Sequence, residues 1–156
     1  MSYDEGPLAG DLAYYQARDV TTGKVDMLGK MVDLRYTFSS VRVSVGATNF
    51  RNTSGAVGTN VYVYDAGAYW HVTPTLGLNG AVYYSSDKTT KQNHSTMVAL
   101  GVDYSLSKRT TLYGQAAYVQ NRGTMGTGIN ANAQGQIAGL PQGGTTSVNF
   151  GIRHFF

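Results

Sequence analysis

The sequence contains no cysteine, only three prolines and few charges: Asp, Glu, Lys and Arg together make up 13% of its 156 residues. Without cysteine there is no disulfide, no thiolate metal site and no cysteine nucleophile. That absence excludes nothing from the cytoplasm, but it suits an envelope protein that avoids stray oxidation. A typical soluble domain is about 25% charged, so a low charge invites a helical membrane protein. No apolar run, however, approaches the ~18 residues that a spanning helix needs. The longest, Met97 to Val102, is far shorter, and the mean hydropathy is −0.22. Helical membrane proteins are excluded. So is simple disorder, because 42% hydrophobic content with 12% aromatics can bury a core. Clusters of one charge sign are also missing: 12 basic and 9 acidic residues, net +3, are scattered singly. No stretch could track a phosphate backbone, and no nucleic-acid partner is expected. The opening Met1 to Gly6 lacks the basic-then-apolar pattern of a secretory signal. That leaves a mature or truncated chain, or one that stays in the cytoplasm.

What the sequence does have is glycine (20 residues), tyrosine (12 residues) and a nearly continuous alternation of apolar and small or polar residues. Period two is the signature of a strand with two unlike faces. Val98, Leu100, Val102, Tyr104 and Leu106 alternate with Ala99, Gly101, Asp103 and Ser105. Val148, Phe150, Ile152, His154 and Phe156 alternate with Asn149, Gly151, Arg153 and Phe155. The same reading over the whole chain predicts eight strands, at about 8–18, 28–38, 41–50, 60–72, 75–85, 95–106, 110–120 and 146–156. Ser39-Ser40, Thr73-Pro74 and Ser107 to Arg109 read as tight turns. Asp19 to Asp26, Arg51 to Gly58, Ser86 to Asn93 and Asn121 to Gly144 read as longer loops, the last expected outside the membrane.

Short turns on one side and long loops on the other describe an antiparallel up-and-down transmembrane β-barrel, a single all-β domain over 1–156. The strands match the roughly 9 to 11 residues needed to cross a bilayer at a tilt, whereas soluble strands more often run about 5 or 6. Alternation alone does not say which face points inward, because a lipocalin-like barrel lines its interior with the apolar face. Two features favour lipid outside. Tyr36, Phe38, Trp70, Tyr104 and Phe156 fall near the short turns, and Tyr14, Phe50, Tyr62, Tyr84 and Tyr118 near the long loops, as two aromatic girdles would. The opposite face carries Asp33, Arg35, Arg42, Asp65, Asp103, Gln115 and Arg153, which suits a wet lumen.

The segment from Tyr104-Ser-Leu-Ser-Lys-Arg-Thr-Thr-Leu-Tyr113 to Gly151-Ile-Arg-His-Phe-Phe156 resembles the trimeric general-diffusion porins of Gram-negative outer membranes, and the resemblance extends weakly back to about Leu8. It implies a closing strand that ends on a terminal Phe and is read by the barrel-assembly machinery, with Phe150, Ile152 and Phe156 as the assembly signal and Val148 in register with them. His154 stands where an aromatic is usual, and Phe155 where many relatives have Lys or Arg. Porins of this family have about sixteen strands, so this chain resembles their C-terminal eight. The other half holds the inward-folded loop, much of the basic cluster facing it and much of the subunit contact. The resemblance further implies outer-membrane lipid around the barrel, a homotrimer, and small hydrophilic solutes passing through.

Two readings of the inward charges Asp33, Arg35, Arg42, Asp65, Asp103 and Arg153 stay open. They set ion selectivity in a pore, or they form a hydrogen-bonded network that plugs a narrow barrel. Eight strands enclose an interior just wide enough for side chains, whereas sixteen leave an aqueous channel. The small inward residues Gly46, Gly67, Gly77, Ala81, Ala99 and Gly101 suit a wide pore, although Tyr69, His71 and Tyr83 are bulky. Two copies could also pair, since open edges are costly in lipid.

No catalytic residue, cofactor or metal site is expected. His71, His94 and His154 lie on separate segments without ligand spacing. No Gly-x-Ser-x-Gly elbow supports a Ser-His-Asp site, and Gly123 to Gly128 is not followed by a helical pattern that would make it a phosphate cradle. The expected function is passive diffusion of small hydrophilic solutes and ions. The alternative is a narrow outer-membrane barrel without a through-pore, acting structurally or through its loops, and a soluble ligand-binding barrel comes third.

Overall fold

The structure, a computed structural model, describes residues 1–53, 59–132, 135–137 and 140–156, with the side chains of 130–139 outside that description. Parts of the expected loops Arg51 to Gly58 and Asn121 to Gly144 therefore lie outside the described residues. The strands are β1 (Ser2–Glu5), β2 (Leu8–Arg18), β3 (Val25–Phe38), β4 (Val41–Asn52), β5 (Thr59–His71), β6 (Leu76–Asp87), β7 (His94–Ser107), β8 (Thr110–Arg122), β9 (Ile129–Asn132), β10 (Gly135–Ile137) and β11 (Gly144–His154). Nine of them form one antiparallel sheet in the order β1-β2-β3-β4-β5-β6-β7-β8-β11, and β9 pairs with β10 apart from it.

The up-and-down antiparallel architecture is as expected, but two details differ. The main sheet has nine strands, not eight, because Gly6 (φ 61°) turns the chain sharply and lets Ser2–Glu5 pair with Leu8–Asp11. Those four residues carry no alternation that periodicity could detect. The sheet is also open: β1 and β11 are its two edges, and the described strands do not close on one another.

Tight turns join the strands at one end. Ser39 takes a positive φ (44°) in the two-residue β3–β4 connection, the sign that matches strand twist in such hairpins. Thr73 Oγ1 accepts from the Leu76 amide at 3.0 Å in the β5–β6 turn. Ser107 Oγ accepts from the Arg109 amide at 3.2 Å in the β7–β8 turn. At the other end, the β2–β3 hairpin winds around Asp19, whose Oδ1 accepts from the Thr21 amide (3.0 Å), the Thr22 amide (2.6 Å) and the Thr22 hydroxyl (2.8 Å). These hydrogen bonds, those from Thr22 first, hold the Asp19 carboxyl below its ordinary range by stabilising the charged form.

Directly opposed residues of an antiparallel sheet share a face, so the register sorts the chain into rows. One face carries rows such as Leu34–Val45–Ala66–Val82–Val98–Tyr118 and Phe38–Val41–Trp70–Leu78–Val102–Gly114–Phe150. These side chains are largely exposed, Leu100 at 62% and Phe150 at 80%. The opposite face carries the small residues Gly67, Ala81, Ala99 and Ala117 and the charges Asp33, Arg35, Asp65 and Asp103, all half-buried. Curvature explains the difference, since side chains converge on the concave side of a bent sheet and splay apart on the convex side. The apolar face is therefore the convex one, the reverse of a soluble ligand-binding barrel, and an apolar surface of this extent demands a non-aqueous neighbour. Among the described residues only Ala9, Val119 and Ile129 are buried apolar residues.

Tyr36, Phe38, Trp70 and Tyr104 all project from the convex face near the tight turns. Tyr14, Tyr62, Tyr84 and Tyr118 do so toward the other end. Phe50 does not. It stands opposite Gly29 and Val61, on the face of Arg42, Ser44 and Gly46, because β4 keeps its alternation without a bulge for twelve residues.

Candidate functional site

Three adjacent rows cross the middle of the concave wall. The first is Asp11–Asp33–Gly46–Asp65–Tyr83–Met97–Val119. The second is Arg35–Ser44–Gly67–Ala81–Ala99–Ala117–Ser147, and the third is Arg42–Tyr69–Asn79–Gly101–Gln115–Asn149. The middle row is small from Ser44 onward and is flanked by larger side chains, so it forms the floor of a trough across the wall. Two glycines let neighbours lie flat beside it. A Cβ on Gly46 would stand 2.6 Å from Asp65 Oδ1, and one on Gly101 would stand 2.5 Å from Asn79 Oδ1.

The six charges expected to face inward do all fall on this face, in two groups. Asp33, Arg35 and Arg42 border one cavity of about 360 Å³, together with Ser44, Tyr69 and Ala81. Asp65 lies in the row of Asp33, across Gly46. Arg35 and Arg42 are diagonal neighbours, since Arg35 stands opposite Ser44 and Arg42 opposite Thr37. Asp103 and Arg153 instead border a separate cavity of about 530 Å³ near the tight turns, with Tyr113, Gln115 and Asn149. The Arg153 guanidinium also lies 5.9 Å from the Phe155 ring. Among the described residues none of the six charges forms an ion pair. Phe150 and Ile152, expected as part of an assembly signal, point outward from the edge strand, and Phe156 follows it with its ring 4.8 Å from that of His154.

Sequence reasoning missed two parts of the wall. Asp11 stands opposite Asp33, but the two faces of β2 could not be separated by alternation. The second is the segment after β8. Asn121 is fully buried and exchanges two hydrogen bonds with Thr127: Asn121 Nδ2 donates to the Thr127 carbonyl (3.0 Å) and the Thr127 amide donates to Asn121 Oδ1 (3.1 Å). Ser95 and Thr127 share a hydroxyl hydrogen bond of 2.8 Å. Asn93 and Thr124 are paired in the same reciprocal way, both contacts at 2.8 Å. The chain is thereby folded back over the concave wall, so that Gly128 and Ile129 roof a second cavity of about 360 Å³ above Met97, Ala99, Ala117 and Gln115. This part of the longest connection packs on the sheet and does not stand free of it. Local sequence signals only a Gly- and Thr-rich loop; the partners are 31 or 32 residues away for Asn93 and Ser95.

Among the described residues no group of three or more His, Asp or Glu side chains could hold a metal ion. His71 packs on Tyr69, His94 on Tyr84 and His154 on Phe156.

The comparisons with known proteins agree with this geometry. Residues 1–124 match the family model described as Gram-negative porin. The chain is 32% identical to outer membrane porin protein 32 of Delftia acidovorans, over an alignment covering all of this chain and 45% of that protein. Among solved structures it superposes on the anion-selective porin from Comamonas acidovorans with a TM-score of 0.81, at 26% identity and covering 99% of this chain and 47% of that one. It also shares the fold of outer-membrane expressed OmpT of Vibrio cholerae, with a TM-score of 0.72 at 15% identity, covering 99% of this chain and 54% of that one. The chain thus spans about half the length of the relatives it matches. With its apolar convex face, its charged concave face and these relatives, the chain belongs to the Gram-negative porin family, β-barrel proteins of the bacterial outer membrane.

Proposed function

We propose that this chain forms part of the wall of a water-filled pore through which small hydrophilic solutes and ions diffuse passively, with a preference for anions. One observation carries the reading. Arg35 and Arg42 stand side by side on the concave face, without ion pairs among the described residues, beside a trough floored by small residues. Unneutralised guanidiniums at a pore wall attract anions, and the small floor keeps the path wide. The similarity to a porin described as anion-selective supports the sign. Asp33, Asp65, Asp103 and Arg153 tune the field on either side. A narrow, plugged barrel is less well supported, since the first and last strands are opposite edges of an open sheet. No covalent chemistry, cofactor or metal enters this reading.

The same reading extends to assembly. Tyr36, Phe38, Trp70 and Tyr104 form the girdle at the turn side, in lipid. Phe150, Ile152 and Phe156 are the signal read by the barrel-assembly machinery, and the subunits associate as a homotrimer. Planar-bilayer recording of the full chain refolded in detergent tests the central claim. Discrete conductance steps are expected, with a reversal potential of anion sign under a salt gradient. The R35Q/R42Q double variant should move that potential toward zero. A folded protein that never conducts, or an unchanged potential in the variant, overturns the proposal.

A further inference from the structure

The concave wall has two unlike halves that meet. On β3 to β5 the cavity is charged, bordered by Arg35 and Arg42. On β6 to β8 the second cavity is largely neutral and apolar, bordered by Met97, Ala99, Ala117 and Ile129. The two share Asn79, Tyr83 and Ala99, so they form one continuous trough rather than two sites. Its floor is the small row Gly67, Ala81, Ala99 and Ala117. Its neutral end is roofed by Gly128 and Ile129, which Thr127 anchors to Asn121 and Ser95. Each cavity, at about 360 Å³, falls in the range of small-molecule sites, about 300 to 1,000 Å³.

Polarity within the trough gives it a direction. The rows run in the order Asp33, Arg35, Arg42, so the two arginines stand on adjacent rows and Asp33 stands on the far side of Arg35 from Arg42. A carboxylate between Arg35 and Arg42 would meet two forked donors and lie on the side of Arg35 away from Asp33. Three strand spacings, roughly 14 Å, separate β4 from β7. An arginine side chain covers about one of them, leaving roughly 9 to 10 Å for the rest of a bound molecule. At that distance lie Met97 and Ala99 on β7, with Ala117 and the Gln115 amide one strand farther, the Asn79 amide one strand nearer, and Ile129 bordering the same cavity.

From this arrangement we infer that the trough is a solute subsite for monocarboxylates that carry a short apolar or aromatic tail. The carboxylate rests on Arg35 and Arg42, and the tail lies under the Gly128–Ile129 roof. This deepens the pore reading and rests on it, since the solute must reach the concave face. Binding is weak and reversible, as passage requires.

Fluorine NMR of the full chain refolded in detergent micelles tests the subsite. The probe is para-fluorophenylbutyrate, with the uncharged para-fluorophenylbutanol and empty micelles as controls. Saturable binding of the carboxylate, over and above partition into empty micelles, is expected. R42Q should weaken it about tenfold, the loss of one charge-assisted contact, while leaving the alcohol unchanged. A99F and A117L, which fill the neutral end, should each abolish saturation by the probe. Saturation that is equal for acid and alcohol, or unaltered by both R42Q and A117L, overturns the subsite. A preparation that conducts anions but shows no saturable binding removes the subsite alone. One that binds the probe but never conducts removes the pore reading instead.

Discussion

The side chain of Asn121 and the backbone of Thr127 hold each other by two reciprocal hydrogen bonds, of 3.0 and 3.1 Å, with Asn121 wholly buried. That pair is what folds the segment after β8 back onto the concave wall. Asn121→Ala leaves the Thr127 amide and carbonyl without this partner and should cost about 1 to 3 kcal/mol. Asn121→Asp keeps the acceptor but loses the donor and buries a charge, so it should be no better. Reversible denaturant unfolding in detergent measures the cost, and a change below about 0.5 kcal/mol for Asn121→Ala would contradict the anchoring role.

Tyr113 lies over Gly151 on the edge strand β11, close enough that a side chain at Gly151 would collide with the ring. Gly151→Val should therefore destabilise the protein by about 1 to 3 kcal/mol through overpacking. Truncating the ring in Tyr113→Ala should relieve much of that penalty. A double-mutant cycle measures the coupling, and strict additivity of the two substitutions would refute the close packing.

Gly67 sits in the floor of the trough, where an added Cβ would touch Ala81 Cβ and the Gly80 carbonyl at 3.3 Å each. Gly67→Ala should be tolerated with a cost on the order of 1 kcal/mol. Gly67→Trp projects a large ring across the concave face, and single-channel conductance should fall while the far-ultraviolet circular dichroism of the sheet is retained. Unchanged conductance in a folded Gly67→Trp protein would show that the solute path runs elsewhere.

Asp19 organises the β2–β3 hairpin through its ionised carboxylate, and its pKa is depressed by the hydrogen bonds from Thr22 and Thr21. A depressed carboxyl contributes stability that is present above its unfolded pKa, near 3.8, and lost as pH falls through the lower folded value. The Thr22 amide resonance should consequently titrate at a pH below the ordinary carboxylate range, and Asp19→Asn should abolish that titration. A midpoint at or above the ordinary value would contradict the turn geometry.

Much of this was legible in the residues themselves, because the side-chain period of a strand is two and the parity of a position names its face. Asp33, Arg35, Arg42, Asp65, Asp103 and Arg153 needed only that parity, and the eleven- to fourteen-residue strands β3 to β8 and β11 needed only its persistence between turn residues. Residue type is a poorer guide than parity: an aromatic suggests a girdle at Phe50, but its position puts it with Arg42 and Gly46. Other features depend on contacts that periodicity does not encode. The pairing of Ser2–Glu5 depends on the positive φ of Gly6. The proximity of Arg35 to Arg42 depends on a register set by the two-residue turn between β3 and β4. The roof over Ala99 and Ala117 depends on Ser95 and Asn93 meeting a segment some thirty residues later. Alternation determined which residues share a face; only the tertiary structure decided which of them are neighbours on it, because register and loop docking are set by turns and distant hydrogen bonds.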